Sequence, residues 1–418
     1  MRIVRPPAVI LAVLGLGVLA GARQRGSTQQ SPPSAVSPHI SAPSDAEKLR
    51  AETRAVEEMH QRLADPGLLC FLARRYAGLG DQQRALGFLK ECIAADVGYD
   101  PADVSAFQPL LNAEFRELAE QARRYARVHH ARVAFTVLDK DLFPEGLAVD
   151  AEKRVFYMGS MHRKKIVRIT LSGKVTDFVK QDAYELMPIG GVHVDPADHS
   201  VWAATDPGEK HRSELVHFDA QGKLLERYTA PGPGTHDLND LVLRDTREIY
   251  VTDTDANLVF RFDRKTHSLT ALKFRRPILY PNGITLSGDQ NLLYVGDILG
   301  VLAVDLRSNA EQEVHPGPKN TLAGIDGLYW YKGDLVGIQY GTGSFRVMQW
   351  RLSNDGRRVT ESEVLERGTN FVKDPTTGAI FQGKFYFMAN TGIDNLRDDQ
   401  IVDESKLEPV KIAVVTLH

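Results

Sequence analysis

Cysteine is nearly absent from this sequence: Cys70 and Cys92 are the only two in 418 residues. That excludes a scaffold built from many disulfides, and with no C-x-x-C pair it also excludes a structural zinc site. A charge excess is missing too, because 51 basic residues face 54 acidic ones for a formal net charge of −3. No basic surface therefore argues for nucleic acid or an anionic membrane face. G-x-S-x-G, a phosphate-binding loop and H-E-x-x-H do not occur, which removes the usual nucleophile-elbow, nucleotide and zinc-protease readings. What remains is a chain with 43% apolar residues, enough to bury large cores.

The apolar run Ala8 to Ala20 is 13 residues long, short of the roughly 18 a spanning helix needs. Arg2 and Arg5 precede it and Ala20-Gly21-Ala22 follows, the layout of a secretory signal over residues 1–22. An uncleaved anchor is the alternative. Residues 23–45 are rich in Ser, Pro and Gln and read as a flexible linker. The expected location is thus extracytoplasmic, periplasmic or secreted, with no membrane contact beyond the signal.

From Ser44, which has capping-box spacing to Glu47, the composition turns to Ala, Leu, Glu, Gln and Arg, predicting a small all-α domain over 46–128. Leu69, Leu72, Ala73, Tyr76, Ala85 and Leu89 fall at the spacing of a tetratricopeptide-like helix pair, with Gly80-Asp81 in the turn. Such helices commonly present docking surfaces, so a protein partner here is an expectation. Cys70 and Cys92 lie on the two helices, either bonded in an oxidising compartment or packed as two core thiols.

From Val133 the pattern changes to short apolar runs between Gly, Asp and Asn. One motif recurs six times: Glu145-Gly146-Leu147, Gly190-Gly191-Val192, Asn239-Asp240-Leu241, Asn282-Gly283-Ile284, Asp326-Gly327-Leu328 and Thr377-Gly378-Ala379. Its first residues are 43 to 51 positions apart. Each motif is followed by a second apolar run, and then by a third and usually a fourth. Four strands per repeat of this length predict an all-β six-bladed β-propeller over 132–418. The sixth repeat stops after three strands, so Arg132 to Leu138 is expected to supply its outer strand. Consistent with that, 134–147 aligns without a gap on 271–284, setting Phe143-Pro144-Glu145-Gly146 against Tyr280-Pro281-Asn282-Gly283. Pairing the two ends of the chain in one blade also removes open edges.

Residues at one register of the inner strands form a ring around the propeller axis. Here the ring is Glu145, Gly190, Asn239, Asn282, Asp326 and Thr377. Two carboxylates converging in a narrow channel repel unless one is protonated or a cation lies between them. Glu145, Asn239, Asn282 and Asp326 are all oxygen donors, with no His or Cys among them, which suits Ca²⁺ better than Mg²⁺, with another divalent ion as the alternative. The competing reading is that Asn and Asp cap the strand entries and the channel holds water. Asp253, Asp255 and Asn257 imitate the start of an EF-hand loop, but Leu258 and Arg264 stand where Gly and Glu are needed.

Taken together, Phe143-Pro144-Glu145-Gly146-Leu147, Asn239-Asp240-Leu241, Pro281-Asn282-Gly283-Ile284 and Ile325-Asp326-Gly327-Leu328 resemble the calcium-dependent propellers of the gluconolactonase and regucalcin family. The resemblance covers Val133 to His418. It implies that Glu145, Asn239, Asn282 and Asp326 surround a catalytic Ca²⁺ and that Asp326 also acts as base or nucleophile. A hydrolase of a lactone or related ester, acting on a small molecule, is the function it implies. One departure stands out: sugar-lactonase members have Arg two residues before the Asn-Asp pair, where this chain has Asp237, which disfavours anionic aldonate-like products. His193, His211 and His236 could enter the channel mouth, against the reading that each is an ordinary surface or loop histidine. The alternative function is a non-enzymatic binding or scaffold propeller with a helical docking domain.

Overall fold

The computed structural model describes residues 45–101, 105–124, 127–208, 212–340, 345–397 and 399–418. The signal segment and nearly all of the linker lie outside the described residues, as does His211. Among the described residues no helix is long and apolar enough to cross a membrane.

Among the described residues six antiparallel sheets stand around an axis, one for each repeat, five of them with four strands and that of blade five with a fifth. Their inner strands are Pro144–Asp150, Ile189–Val194, Leu238–Arg244, Ile284–Leu286, Ile325–Tyr331 and Gly378–Phe381. Second strands such as Val155–Ser160 and Val201–Thr205 are apolar on both faces because each is covered by a neighbouring blade on either side. Outer strands such as Leu224–Thr229 and Ser268–Ala271 keep polar residues facing solvent. The core is accordingly six wedges, one between each pair of adjacent blades. Between blades one and two, for example, Tyr157, Ile166 and Val179 meet Ile189, Val201 and Phe218.

Closure is as expected from the sequence. Arg132–Val137 is the outer strand of blade six and pairs antiparallel with Val410–Thr416, which pairs in turn with Lys384–Met388. Blade six also makes an excursion that the repeat pattern does not show. Between Met388 and Val410 the chain forms the short hairpin Leu396–Arg397 with Gln400–Ile401, flanked by two single-turn helices. Ile393 and Leu396 of this insert pack on Phe143 and Met161 of blade one.

Among the described residues four α-helices precede the propeller: α1 (Asp45–Leu63), α2 (Gly67–Gly78), α3 (Gln82–Ala94) and α4 (Ala113–Ala122). Asp81 caps α3 by accepting from the Arg84 amide at 3.1 Å, and Asn112 caps α4 through Phe115 at 2.8 Å. Leu69, Leu72, Ala73, Tyr76, Ala85 and Leu89 are all buried, and a disulfide joins Cys70 on α2 to Cys92 on α3. The helices do not close their apolar core by themselves. Their apolar cluster is completed by Leu279, Tyr280 and Ala323 from the inner-strand entries of blades four and five, and by Ile298 and Leu299 from the turn between the second and third strands of blade four. Past α4, Val128–His129 is already sheet, pairing as a fifth strand on the exposed edge of Val359–Arg367 in blade five. The helical part thus stops short of residue 128, because an open strand edge offers Val128 backbone partners.

Candidate functional site

The ring positions coincide with breaks in the strand ladders. In blades one, two, three and five the register shifts between Pro144 and Leu147, Ile189 and Val192, Leu238 and Leu241, and Ile325 and Leu328. A bulge re-aims the side chains it contains, here those of Glu145, Asn239 and Asp326. The glycine that follows serves close approach: a Cβ on Gly146 would lie 2.1 Å from the Gly190 carbonyl oxygen, and one on Gly283 would lie 2.1 Å from that of Asp326. Cross-blade hydrogen bonds tie the ring together. Thr252 Oγ1 donates to Asn282 O at 2.8 Å, Gly327 N donates to Thr376 O at 3.2 Å, and Thr377 Oγ1 donates to Glu145 O.

Glu145, Asn239, Asn282 and Asp326 are exposed by only 2%, 3%, 1% and 0%, yet each keeps a buried polar atom without a hydrogen-bond partner. These are Glu145 Oε1, Asn239 Nδ2, both amide atoms of Asn282 and both carboxyl oxygens of Asp326. Turn capping does not describe Asn282 or Asp326, since a capping side chain has its hydrogen bond. Half a turn of the Asn239 amide presents its oxygen where its nitrogen stands. Leaving a buried polar atom unpaired costs about 1–3 kcal/mol, so several orphans at one place indicate that something else satisfies them. Among the described residues no three His, Cys, Asp or Glu side chains are grouped so as to hold a metal. A ligand set here has to draw on the two amides.

Electrostatics agree. Burial pushes Glu145 up to about 8, reinforced by the carboxylates of Asp206 and Asp240. Asp326 is raised well above the usual carboxylate range, first by burial and then by Glu145 and Asp240. The Asn282 amide lies close enough to pull Asp326 the other way without reaching hydrogen-bond geometry. Glu145 therefore holds a proton near neutral pH unless a cation replaces it, and Asp326 is pushed in the same direction.

Asp237 is 3% exposed and faces the same region, its pKa raised by burial and then by Asp206, Asp255, Glu145 and Asp253. His236 is tied elsewhere, its Nδ1 2.6 Å from Asp253 Oδ2. Asp253 Oδ1 accepts from the amides of Asp237 and Ala256, and Asn257 Oδ1 from that of Tyr280, so the EF-hand imitation is a set of loop braces. Beyond the ring the channel opens into a cavity of about 200 Å³ whose lining includes His193, Asp240 and Tyr329. Burial lowers His193 to about 4, leaving it neutral, and raises Asp240 to about 7. Tyr329 accepts from the Gly378 amide at 2.7 Å. Asp206, Asp240 and Tyr329 were not marked by the sequence, although Asp240 stands inside a ring motif and Asp206 ends a second-strand run.

No protein-family profile and no curated protein matches this sequence. Among solved structures, a gluconolactonase from Xanthomonas campestris is similar at 18% identity, covering 70% of this chain and 91% of its own, with a TM-score of 0.47. An aldose sugar dehydrogenase from Streptomyces coelicolor, in its PQQ-bound form, is similar at 14%, covering 69% and 99%, with a TM-score of 0.47. A virginiamycin B lyase from Staphylococcus aureus is similar at 15%, covering 69% and 99%, again with a TM-score of 0.47. At such values these likenesses carry no argument about the chemistry of this chain.

Proposed function

We propose that the protein is an exported Ca²⁺-dependent hydrolase of a lactone or related ester, with Glu145, Asn239, Asn282 and Asp326 as the ligands of the ion. The observation that carries this reading is the set of orphaned buried polar atoms on those four residues. Glu145 and Asp326 supply two negative charges once deprotonated, and the amides supply neutral oxygens. When bound, the ion draws electron density from a carbonyl oxygen and offsets the charge that develops there.

Asp326 then accepts the proton of a water that adds to the acyl carbon, and returns it to the alkoxide oxygen as the ring C–O bond breaks. Bulge and glycine geometry fix Asp326 by its backbone, and no hydrogen bond from the chain occupies its carboxyl oxygens, so one can serve the ion and the other that transfer. Asp237 adds acidity beside Glu145, which argues against an anionic product such as an aldonate. The Cys70–Cys92 bond supports an oxidising compartment. The docking-scaffold reading gains no support from α2, whose residues Gly67 to Ala77 are all buried.

Calcium titration calorimetry on the wild type, Asn282→Ala and Asp326→Ala, with a panel of lactones and aryl esters, tests the proposal. Both substitutions should weaken calcium binding and abolish hydrolysis together. Equal calcium affinity in the wild type and the double variant would end it.

A further inference from the structure

Glu145 in blade one and Asn282 in blade four face each other across the six-membered ring. Two residues before each stands a bulky aromatic with a left-handed backbone, Phe143 at φ 46° and Tyr280 at φ 52°. Blade five needs the same backbone before Asp326 and meets it with Gly324 at φ 67°. Glycine adopts that conformation without strain, whereas an aromatic there costs about 1–3 kcal/mol. Blades one and four therefore carry an aromatic for a reason other than the turn.

What each ring touches supplies that reason. Tyr280 is clasped by the helices: its hydroxyl donates to Glu52 Oε1 at 3.0 Å, and Glu52 Oε2 accepts from Arg75 Nη1. The Arg75 guanidinium lies 5.8 Å from the Tyr280 ring centroid. From Tyr280 the chain runs directly to the ring through Pro281, whose carbonyl accepts from Thr254 Oγ1 at 2.7 Å, and Asn282 N, which donates to Gly296 O at 2.9 Å. Phe143 is clasped instead by Ile393 and Leu396 of the blade-six insert, and its carbonyl accepts from Met161 N at 3.1 Å. The two parts of the molecule that do not belong to the propeller repeat thus grip the two opposed ring residues by the same device.

We infer that Tyr280 and Phe143 are positioning residues, and that the helical unit and the blade-six insert are anchors that hold Asn282 and Glu145 at their places in the ring. Asn282 has particular need of this, because no side-chain hydrogen bond fixes its amide. As far as it concerns ion affinity the inference rests on the proposed function; as far as it concerns the backbone of the ring it does not.

Tyr280→Gly and Tyr280→Asn both accept a left-handed backbone and both lose the anchor, so neither introduces strain. Calcium titration of the full chain should show about tenfold weaker binding for each, the scale seen when a group that orients a ligand is removed. Tyr280→Phe, which loses only the bond to Glu52, should lie between them and the wild type. Hydrogen exchange in chelator should be faster for the peptide 281–286 than in the wild type and unchanged for 143–149; Phe143→Gly should show the reverse.

If the wild type binds no calcium the metal reading fails, and the exchange data alone then decide the positioning inference. Should Tyr280→Gly not fold, Tyr280→Phe and Glu52→Gln decide it by the same two readouts. Unchanged exchange at 281–286 in the folded Tyr280 variants, with unchanged calcium affinity wherever the wild type binds, overturns it.

Discussion

The seam between the helices and the propeller buries carboxylates as deeply as the ring does, and treats them in the opposite way. At the seam Asp65 is fully buried, yet Oδ1 accepts from Gly67 N at 2.8 Å and Oδ2 from Leu322 N at 2.9 Å. Both oxygens of Glu52 are likewise occupied, one by Tyr280 and the other by Arg75. In the ring Asp326 is equally buried with both oxygens bare. Burial alone does not separate the acids of the seam from that of the ring; occupation of their lone pairs does. A satisfied buried carboxylate has part of its desolvation offset within the fold, although burial still raises Asp65, and an unsatisfied one has none of it offset by hydrogen bonds of the chain.

Substitution should separate the two regions cleanly. The largest effect is expected for Asp326→Asn, which should lower the proposed hydrolysis about a thousandfold by removing the proposed proton acceptor. The same change should leave the melting temperature in chelator unchanged or higher, since no hydrogen bond of the fold is lost. Glu52→Ala should instead cost about 3 kcal/mol in urea unfolding, because Arg75 would be left buried without its partner. If Asp326→Asn destabilises the chelated protein as much as Glu52→Ala does, the contrast between ring and seam is broken. Replacing Cys70 and Cys92 together by Ala should cost about 2–3 kcal/mol, since their bond closes a loop over a sequence separation of 22. That loss should appear in reversible unfolding as a drop in stability, with little change in calcium affinity.

The ring was legible in the sequence and the seam was not, and the reason is periodic repetition. Glu145, Asn239, Asn282 and Asp326 lie far apart along the chain, but each occupies the same place in a repeat, so the register of the repeat predicts their meeting. The same logic predicted the pairing of Arg132–Val137 with Val410–Thr416. Nothing repeats at the seam. Glu52 meets Tyr280 across 228 residues and Asp65 meets Leu322 across 257, through contacts that occur once. The blade-six insert was hidden for the same reason, being an interruption of the pattern. Phe143 and Tyr280 occupy a middle ground. Their equivalence is visible in the gapless alignment of 134–147 on 271–284, while the strain they share and the anchors that hold them arise from non-repeating contacts that no pattern in the sequence marks.

The mildest expected effect sharpens the contrast by pH. In the metal-free fold Glu145 keeps its proton up to about 8, whereas its ordinary value is 4.5. Between those values the folded state binds more protons than the unfolded one, so the contribution of Glu145 to stability is complete below about 4.5 and is lost as pH rises through about 8. Asp240, pushed up to about 7, and Asp326, raised by burial, act in the same direction. The melting temperature in chelator should therefore fall by several degrees between about pH 5 and about pH 9, from these groups together. Saturating calcium should flatten or reverse that slope, because the ion takes the place of the protons, and calorimetry in two buffers of different ionisation enthalpy should detect their release. Glu145→Gln should remove part of the slope and be more stable than the wild type at the alkaline end in chelator. A slope that calcium and Glu145→Gln both leave unchanged would move its source away from the ring and onto other buried acids, such as Asp65, which is also raised by burial.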